Sequence, residues 1–280
     1  MRFLKRFAQD LGLGLGWRPE LAHFITKQED LAFVEVIAEN LDSKGALPQP
    51  IAELRQRGVC VIPHGVTLSL GGADPISPKR VEHLARLAEN LGAPLVTEHI
   101  AFVRTGGVEI GHLTPLPRTH EALDVLVDNI ERAKRLLPVP LALENIATLF
   151  DWPDAEMEEW QFVTAVLERT DSLLLLDISN AYANGHNRRL DALAEVLRLP
   201  LDRLTYAHMG GGIEVDGIVH DTHGDNMLPG SVELLRRFCE VKTLPGVMLE
   251  RDENFPGSAE IRGELDRIKE AIASKPACAD

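Results

Sequence analysis

Leu173-Leu174-Leu175-Leu176-Asp177-Ile178-Ser179-Asn180 is the stretch that decides the fold. Four successive leucines make a short continuous apolar run, the pattern of a strand covered on both faces in a parallel sheet. The run ends on a carboxylate, and a buried acid is costly unless it is paired or bound to a cation. Seven more apolar runs lie outward from it, at residues 11–16, 32–40, 60–66, 95–102, 141–145, 204–208 and 247–252. Of the eight, all but the first carry or end beside a residue able to bind a hard cation or orient such a ligand. These residues are Glu39, His64, His99, Glu144, Asp177, His208 and Glu250. In a closed barrel such strand ends meet at one mouth, where active sites are built. The expected fold is therefore α/β, a (β/α)₈ TIM barrel with a metal-dependent site at one end.

Helix-like segments separate the runs. Residues 19–30 form a short amphipathic candidate. Ser77-Pro78 looks like an N-cap with proline at the first helical position, followed by a stripe of Val81, Leu84, Leu87, Ala88 and Leu91. Thr119 is placed to cap a helix carrying Leu123, Leu126, Val127 and Ile130, which ends before Pro138. Residues 160–167, 190–197, 232–241 (with Ser231 as cap) and 259–273 supply the rest. Strand–helix alternation favours a parallel α/β fold over a sandwich, and eight units favour closure. Residues 67–78, 105–117 and 210–230 read as long loops after strands, rich in glycine, where barrel function is housed. Leu11-Gly12-Leu13-Gly14-Leu15-Gly16 suits a strand with one tightly packed face better than a pyrophosphate-binding turn.

At 280 residues the chain suits a single barrel domain over its whole length, with residues 1–10 and 274–280 expected to be flexible ends. A net charge of -14 disfavours non-specific binding to nucleic acid or to an anionic membrane. Cys60, Cys239 and Cys278 form no CxxC pair, which argues against a zinc knuckle, an iron–sulfur cluster or a disulfide framework. Cys278 reads as incidental. The first ten residues carry no long apolar region, so neither a signal peptide nor a membrane span is expected, and the cytoplasm is the default location.

The chemistry lies in the polar residues. His64 sits in Val61-Ile62-Pro63-His64-Gly65-Val66 and His99 in Val96-Thr97-Glu98-His99-Ile100, where Glu98 is placed to orient a ring. A lone histidine in such a place is ordinarily a hydrogen-bonded core residue. Two on consecutive barrel strands, followed by Glu144 in Leu143-Glu144-Asn145, favour ligation. Asp177 is a carboxylate at the mouth of a central strand. Asn180 could reach the same centre through its amide oxygen or equally close an Asx turn. In His220-Asp221-Thr222-His223, an extended backbone would point Asp221 and His223 the same way to clasp one ion, with His220 facing solvent or standing outside the ligands. The set is His64, His99, Glu144, Asp177, Asn180, His208, Asp221, His223 and Glu250. It exceeds what one ion needs, and its four carboxylates would repel one another without two or three cations. Imidazole and oxygen donors without thiolate suit iron, manganese or zinc.

In order along the chain, several short motifs resemble one known family, the multinuclear non-haem iron-dependent oxidases, which include the B component of methanobactin biosynthesis. The motifs are Gly12-Leu13-Gly14-Leu15, Glu35-Val36-Ile37-Ala38-Glu39-Asn40, His64-Gly65-Val66 with Ser69-Leu70-Gly71, Glu98-His99, Leu116-Pro117, Leu143-Glu144-Asn145, Leu176 to Tyr182, Asp221-Thr222-His223 and Leu249-Glu250. Individually they are weak; their ordered combination is specific. The resemblance implies a barrel similar to the xylose-isomerase type. It also implies two or three iron ions (Fe2+/Fe3+), with dioxygen as co-substrate. His64, His99, Glu144, Asp177, His208 and Glu250 would surround a central pair of ions. A third would sit nearer Asn180, Asp221 and His223. Glu39, Glu98, Asn145, His220 and Asp252 are candidates for catalytic or supporting roles around them. The implied reaction is oxidation of a cysteine in a ribosomally made precursor peptide, aided by a partner protein that grips the leader. One departure stands out: family members commonly carry a second histidine four residues after the one matching His208, where this chain has Gly212.

Other functions compete with this one. A divalent-metal sugar isomerase or epimerase would also line a barrel mouth with Glu, Asp and His, but Asn180, Asp221 and His223 enlarge the ligand set beyond that need. A metal-dependent hydrolase or endonuclease is the next alternative, weakened for DNA by the negative charge.

Overall fold

The computed structural model describes residues 11–273, so the expectations for both chain ends and for Cys278 lie outside the described residues. Eight parallel strands close into a barrel: β1 (Gly12–Trp17), β2 (Phe33–Ile37), β3 (Cys60–His64), β4 (Val96–His99), β7 (Leu141–Glu144), β8 (Leu173–Asp177), β9 (Leu204–Gly210) and β12 (Gly246–Glu250). Each corresponds to one of the eight apolar runs. Around them pack α1 (Ala22–Thr26), α2 (Gln49–Gln56), α3 (Pro78–Leu91), α4 (His120–Lys134), α5 (Glu159–Thr170), α6 (Ile178–Arg188), α7 (Ala192–Val196), α8 (Pro229–Val241) and α9 (Ser258–Ala273).

Two of the expected loops are hairpins instead. After β4, β5 (Phe102–Thr105) pairs antiparallel with β6 (Val108–Thr114); after β9, β10 (Gly212–Val215) pairs with β11 (Ile218–Asp221). Gly106-Gly107 and Asp216-Gly217, all at positive φ, turn the two hairpins, as a two-residue β-turn requires. Two helices, α2 and α6, also went unforeseen. The sequence of α6 is rich in Asn and contains Gly185, both weak helix formers.

The expected caps fare unevenly. Thr119 does cap α4, its hydroxyl accepting from the Ala122 amide at 3.2 Å. Ser77 occupies the N-cap of α3 but makes no side-chain cap bond. Ser231 is not a cap: α8 begins at Pro229, and the Ser231 hydroxyl donates back to the Leu228 carbonyl at 2.9 Å.

Strand alternation builds the barrel interior in layers. Phe33, Ile62, Leu95, Ala142, Leu175, Tyr206 and Met248 fill the lower part. Two residues further along the same strands come Glu35, His64, Thr97, Glu144, Asp177, His208 and Glu250, all buried. The period of two thus carries each strand from a hydrocarbon floor to a polar layer. The alternating glycines of β1 make room for that floor: a Cβ on Gly14 would lie 2.5 Å from the Phe33 ring. The larger apolar cluster lies outside, between the barrel and its helices. Among the described residues, no helix is long and apolar enough to cross a membrane.

Candidate metal centre

Glu144 stands at the middle of the polar layer. Its Oε2 lies 3.6 Å from His64 Nε2 and 3.4 Å from His99 Nε2, and its Oε1 lies 3.0 Å from His208 Nδ1. Each imidazole turns its other nitrogen toward a fixed partner. His64 Nδ1 meets Thr97 Oγ1 at 2.7 Å, His99 Nδ1 meets Glu98 Oε1 at 3.3 Å, and His208 Nε2 meets Glu35 at 3.1 and 3.2 Å. Metal-binding histidines are oriented in this way, with one nitrogen held by the protein and the other left for the cation.

Three groups of donor atoms lie within 4.8 Å of one another: His64, His99 and Glu144; Glu144, Asp177, His208 and Glu250; and His223, Glu250 and Asp252. Glu144 and Glu250 each belong to two groups. Several of the buried atoms have no hydrogen-bond partner: Glu144 Oε2, Asp177 Oδ2, Asn180 Oδ1, Asp221 Oδ1 and His223 Nε2. The last two stand 3.0 Å apart, a close contact rather than an aligned hydrogen bond. Buried polar atoms are ordinarily satisfied, so five orphans on one surface fit cations. The donor set, imidazole and carboxylate without sulfur, fits iron, manganese or zinc.

The electrostatics point the same way. Burial, with Glu144 and Asp221 beside it, pushes the Asp177 carboxyl well above the usual range. Burial opposes charge on the histidines, but Glu144 and Glu98 outweigh it and raise His99 to about 9. Glu144, Glu35 and Glu250 raise His208 against burial, and Glu250 and Asp221 do the same for His223. In turn, His208 and His99 hold Glu144 down to about 2 despite its burial. Without a cation, the pocket keeps its carboxylates together by taking up protons.

Local folding explains most placements. Asp177 closes β8 and caps α6, its Oδ1 accepting the Asn180 amide at 2.7 Å. The turn is therefore closed by the Asp177 side chain and not by that of Asn180, whose Oδ1 has no hydrogen-bond partner. Asn145 clamps the Asp177 backbone, donating to its carbonyl and accepting from its amide, each at 2.9 Å. Asp221 ends β11. His223 is in the left-handed region at φ 49°, so a turn brings it to Asp221, not the strand alternation expected from the sequence. A Cβ on Gly210 would collide with the His223 ring, which gives the first residue of Gly210-Gly211-Gly212 its reason.

Asp252 bonds Arg18 and lies 3.5 Å from His223 Nδ1. His220 lines the cleft above the cluster. Glu39 is not brought to the centre. It is exposed and fastens the loop after β3, accepting from Val66 N, Thr67 N and Thr67 Oγ1 at 3.1, 2.9 and 2.6 Å. The residue of β2 that faces the barrel is Glu35, which the sequence reading passed over as a site residue. A lone charge inside Phe33-Val34-Glu35-Val36-Ile37 was the available signal. Arg18, Thr97 and Tyr206 were also missed. Arg18 is buried, bonds Asp252 and reaches Glu250 Oε1 at 3.4 Å.

Above the cluster opens a cleft of about 440 Å³. His99, Glu144, Asn180, Asp221 and His223 form part of its lining. The two hairpins contribute His112 and Leu113 on one side and Ile213, Val215 and His220 on the other, and the β7–α5 loop adds Leu149.

Residues 12–273 match the family described as the RiPP precursor modification enzymes MbnB/TglH/ChrH, where RiPP denotes a ribosomally synthesised and post-translationally modified peptide. A UPF0276 protein of Streptomyces avermitilis is 47% identical over 269 residues; the alignment covers 94% of this chain and 55% of that protein. Among solved structures, a xylose isomerase domain containing protein of Salmonella typhimurium superposes with a TM-score of 0.63 at 13% identity, covering 95% of this chain and 98% of the other. Endonuclease IV from Thermus thermophilus gives 0.62 at 17%, covering 94% and 99%. At such identities the structural likeness speaks for the fold, a barrel of the xylose-isomerase type.

Proposed function

The chain belongs to the MbnB/TglH/ChrH family of RiPP precursor modification enzymes, and on that premise we propose that it oxidises a cysteine residue of a precursor peptide at a cluster of two or three iron ions, with dioxygen as co-substrate. One observation carries the reading: five buried donor atoms without a hydrogen-bond partner converge at the base of a cleft of about 440 Å³. His64, His99, Glu144, Asp177, His208 and Glu250 would hold the central ions, and Asn180, Asp221 and His223 a third. Bound iron supplies affinity for a thiolate and one-electron chemistry with dioxygen.

The chain's own residues do the rest. The layer below the cluster is hydrocarbon, which keeps water from approaching from the barrel interior. Glu98, Thr97, Glu35 and the Asn145 clamp hold the donor atoms in place before substrate arrives, so little reorganisation is left to the reaction. Leu113, Leu149, Ile213 and Val215 give the cleft apolar walls against which a peptide can lose water. His112 and His220, from opposite hairpins, supply proton-accepting groups at the mouth. A separate protein that grips the leader belongs to the same proposal.

The test is an aerobic incubation of iron-loaded enzyme with a cysteine peptide encoded beside its gene. Dioxygen uptake coupled to a change in peptide mass is expected, and a Cys→Ser peptide should be inert. Equal turnover without dioxygen overturns the reading, and so does modification of the Ser peptide. The isomerase alternative gains nothing from the site: its donor set is larger than one or two redox-inactive ions require.

A further inference from the structure

We propose that Glu35 and Tyr206 are positioning residues that together fix which nitrogen of His208 is free to bind a cation. The inference rests on the metal-centre reading above. Both Glu35 oxygens lie against His208 Nε2, at 3.1 and 3.2 Å. A carboxylate only accepts, so Nε2 carries the ring proton. Nδ1 lies 3.0 Å from Glu144 Oε1 and 3.1 Å from Glu250 Oε2, in the heart of the second donor group, so it is the nitrogen whose proton a cation would displace.

Tyr206 determines how Glu35 can behave. Its hydroxyl, fully buried, donates to Glu35 Oε2. The Thr97 hydroxyl meets His64 Nδ1 at 2.7 Å. Tyr206 and His208 therefore both donate to Glu35, from two sides. Glu35 cannot donate, so it sets the direction of both bonds. Held in this way, His208 Nδ1 faces Glu144, as His64 Nε2 does from the opposite wall of the barrel, four strands away. Glu35 does not line the cleft, so its part is to position, not to touch substrate.

The decisive variant is Glu35→Gln, nearly equal in shape. Tyr206 must still donate, so it keeps the amide oxygen in the place of Oε2 and puts the NH2 in the place of Oε1, 3.1 Å from His208 Nε2. That group then has to accept, which moves the ring proton to Nδ1 and blocks the cation. Metal-free Glu35→Gln should bind Co2+ about 10- to 100-fold more weakly than wild type, the usual range for a lost partner of a metal-binding histidine. Adding Tyr206→Phe frees the amide to rotate, so the double variant should recover most of that loss. A merely structural role predicts the reverse, since two core changes disturb packing more than one.

Glu35→Gln binding Co2+ as tightly as wild type overturns the proposal, as does a double variant no tighter than the single one. Long-range 1H–15N spectra of Zn2+-loaded wild type need no variant at all. A His208 ring protonated at Nε2 supports the proposal, and one protonated at Nδ1 overturns it. Wild-type protein that takes up neither Co2+ nor Zn2+ defeats the metal centre itself; normal uptake with an unaffected Glu35→Gln defeats only this inference.

Discussion

His64 Nε2 and His99 Nε2 approach the same oxygen, Glu144 Oε2, from adjacent strands, at 3.6 and 3.4 Å, with their rings 4.6 Å apart. Two imidazoles and a carboxylate arranged edge to edge make a cradle for one cation, and the second oxygen of Glu144 reaches toward another. Glu144→Gln should therefore lower the number of ions retained after anaerobic iron loading by at least one, read by elemental analysis. An unchanged ion count would refute the bridging role.

Acidity makes a second prediction. In metal-free protein, burial opposes charge on His99, but Glu144 and Glu98 raise its pKa from 6.5 to about 9. A raised histidine favours the folded state when protonated, so this contribution is complete below pH 6.5 and fades as pH climbs through 9. Glu144 runs oppositely: despite burial, His208 and His99 lower it from 4.5 to about 2. Its contribution is complete above pH 4.5 and fades as pH falls through 2. Metal-free protein should thus resist urea best between pH 4.5 and 6.5, losing midpoint concentration toward pH 9. Cation affinity should rise over that same alkaline interval as the imidazole protons leave. Urea midpoints that are level from pH 6.5 to 9 would count against this picture.

Arg18 is an internal cation already in place. Its guanidinium bonds Asp252 and reaches Glu250, two members of the third donor group. Arg18→Met leaves buried carboxylate behind, which should destabilise metal-free protein by about 3 kcal/mol. Saturating Mn2+ should recover part of that loss by neutralising the same oxygens. Denaturant unfolding with and without Mn2+ reads both quantities. A loss that Mn2+ leaves undiminished shows that Arg18 serves packing alone.

Any ion bound only by the folded state stabilises it. At a free concentration of 100 times Kd, the gain is about 2.7 kcal/mol. For a chain of this length that raises the melting temperature by roughly 5–10 °C. Scanning calorimetry before and after chelation checks it, and a melting temperature indifferent to chelator would falsify the assignment of the donor cluster as a metal centre.

The fold was legible because eight apolar runs with polar ends alternate with helical segments, a pattern that favours a closed barrel, and all eight runs became strands. The hairpins were not legible. Residues 105–117 and 210–230 are polar and glycine-rich, and two short strands exposed to water lack the apolar contrast that reveals a buried one. Glu39 drew attention as the acid ending an apolar run, yet alternation from Phe33 puts Glu35 inward and leaves Glu39 beyond the strand. Counting in twos from the floor residue would have found it. Asp221 and His223 were paired for the wrong reason, since left-handed backbone at His223 does the work assigned to alternation. Arg18 and Tyr206 gave no local signal, because their importance comes from partners more than 170 positions away.

The two hairpins form sheets of their own, separate from the closed barrel. Their outer turns can be lengthened or exchanged without cutting a bond of the barrel, while Asp221 at the base of the second hairpin ties that arm to the donor atoms. On the proposed function, rebuilding those outer turns would retarget the cleft to new peptides while the donor atoms beneath them stay in place.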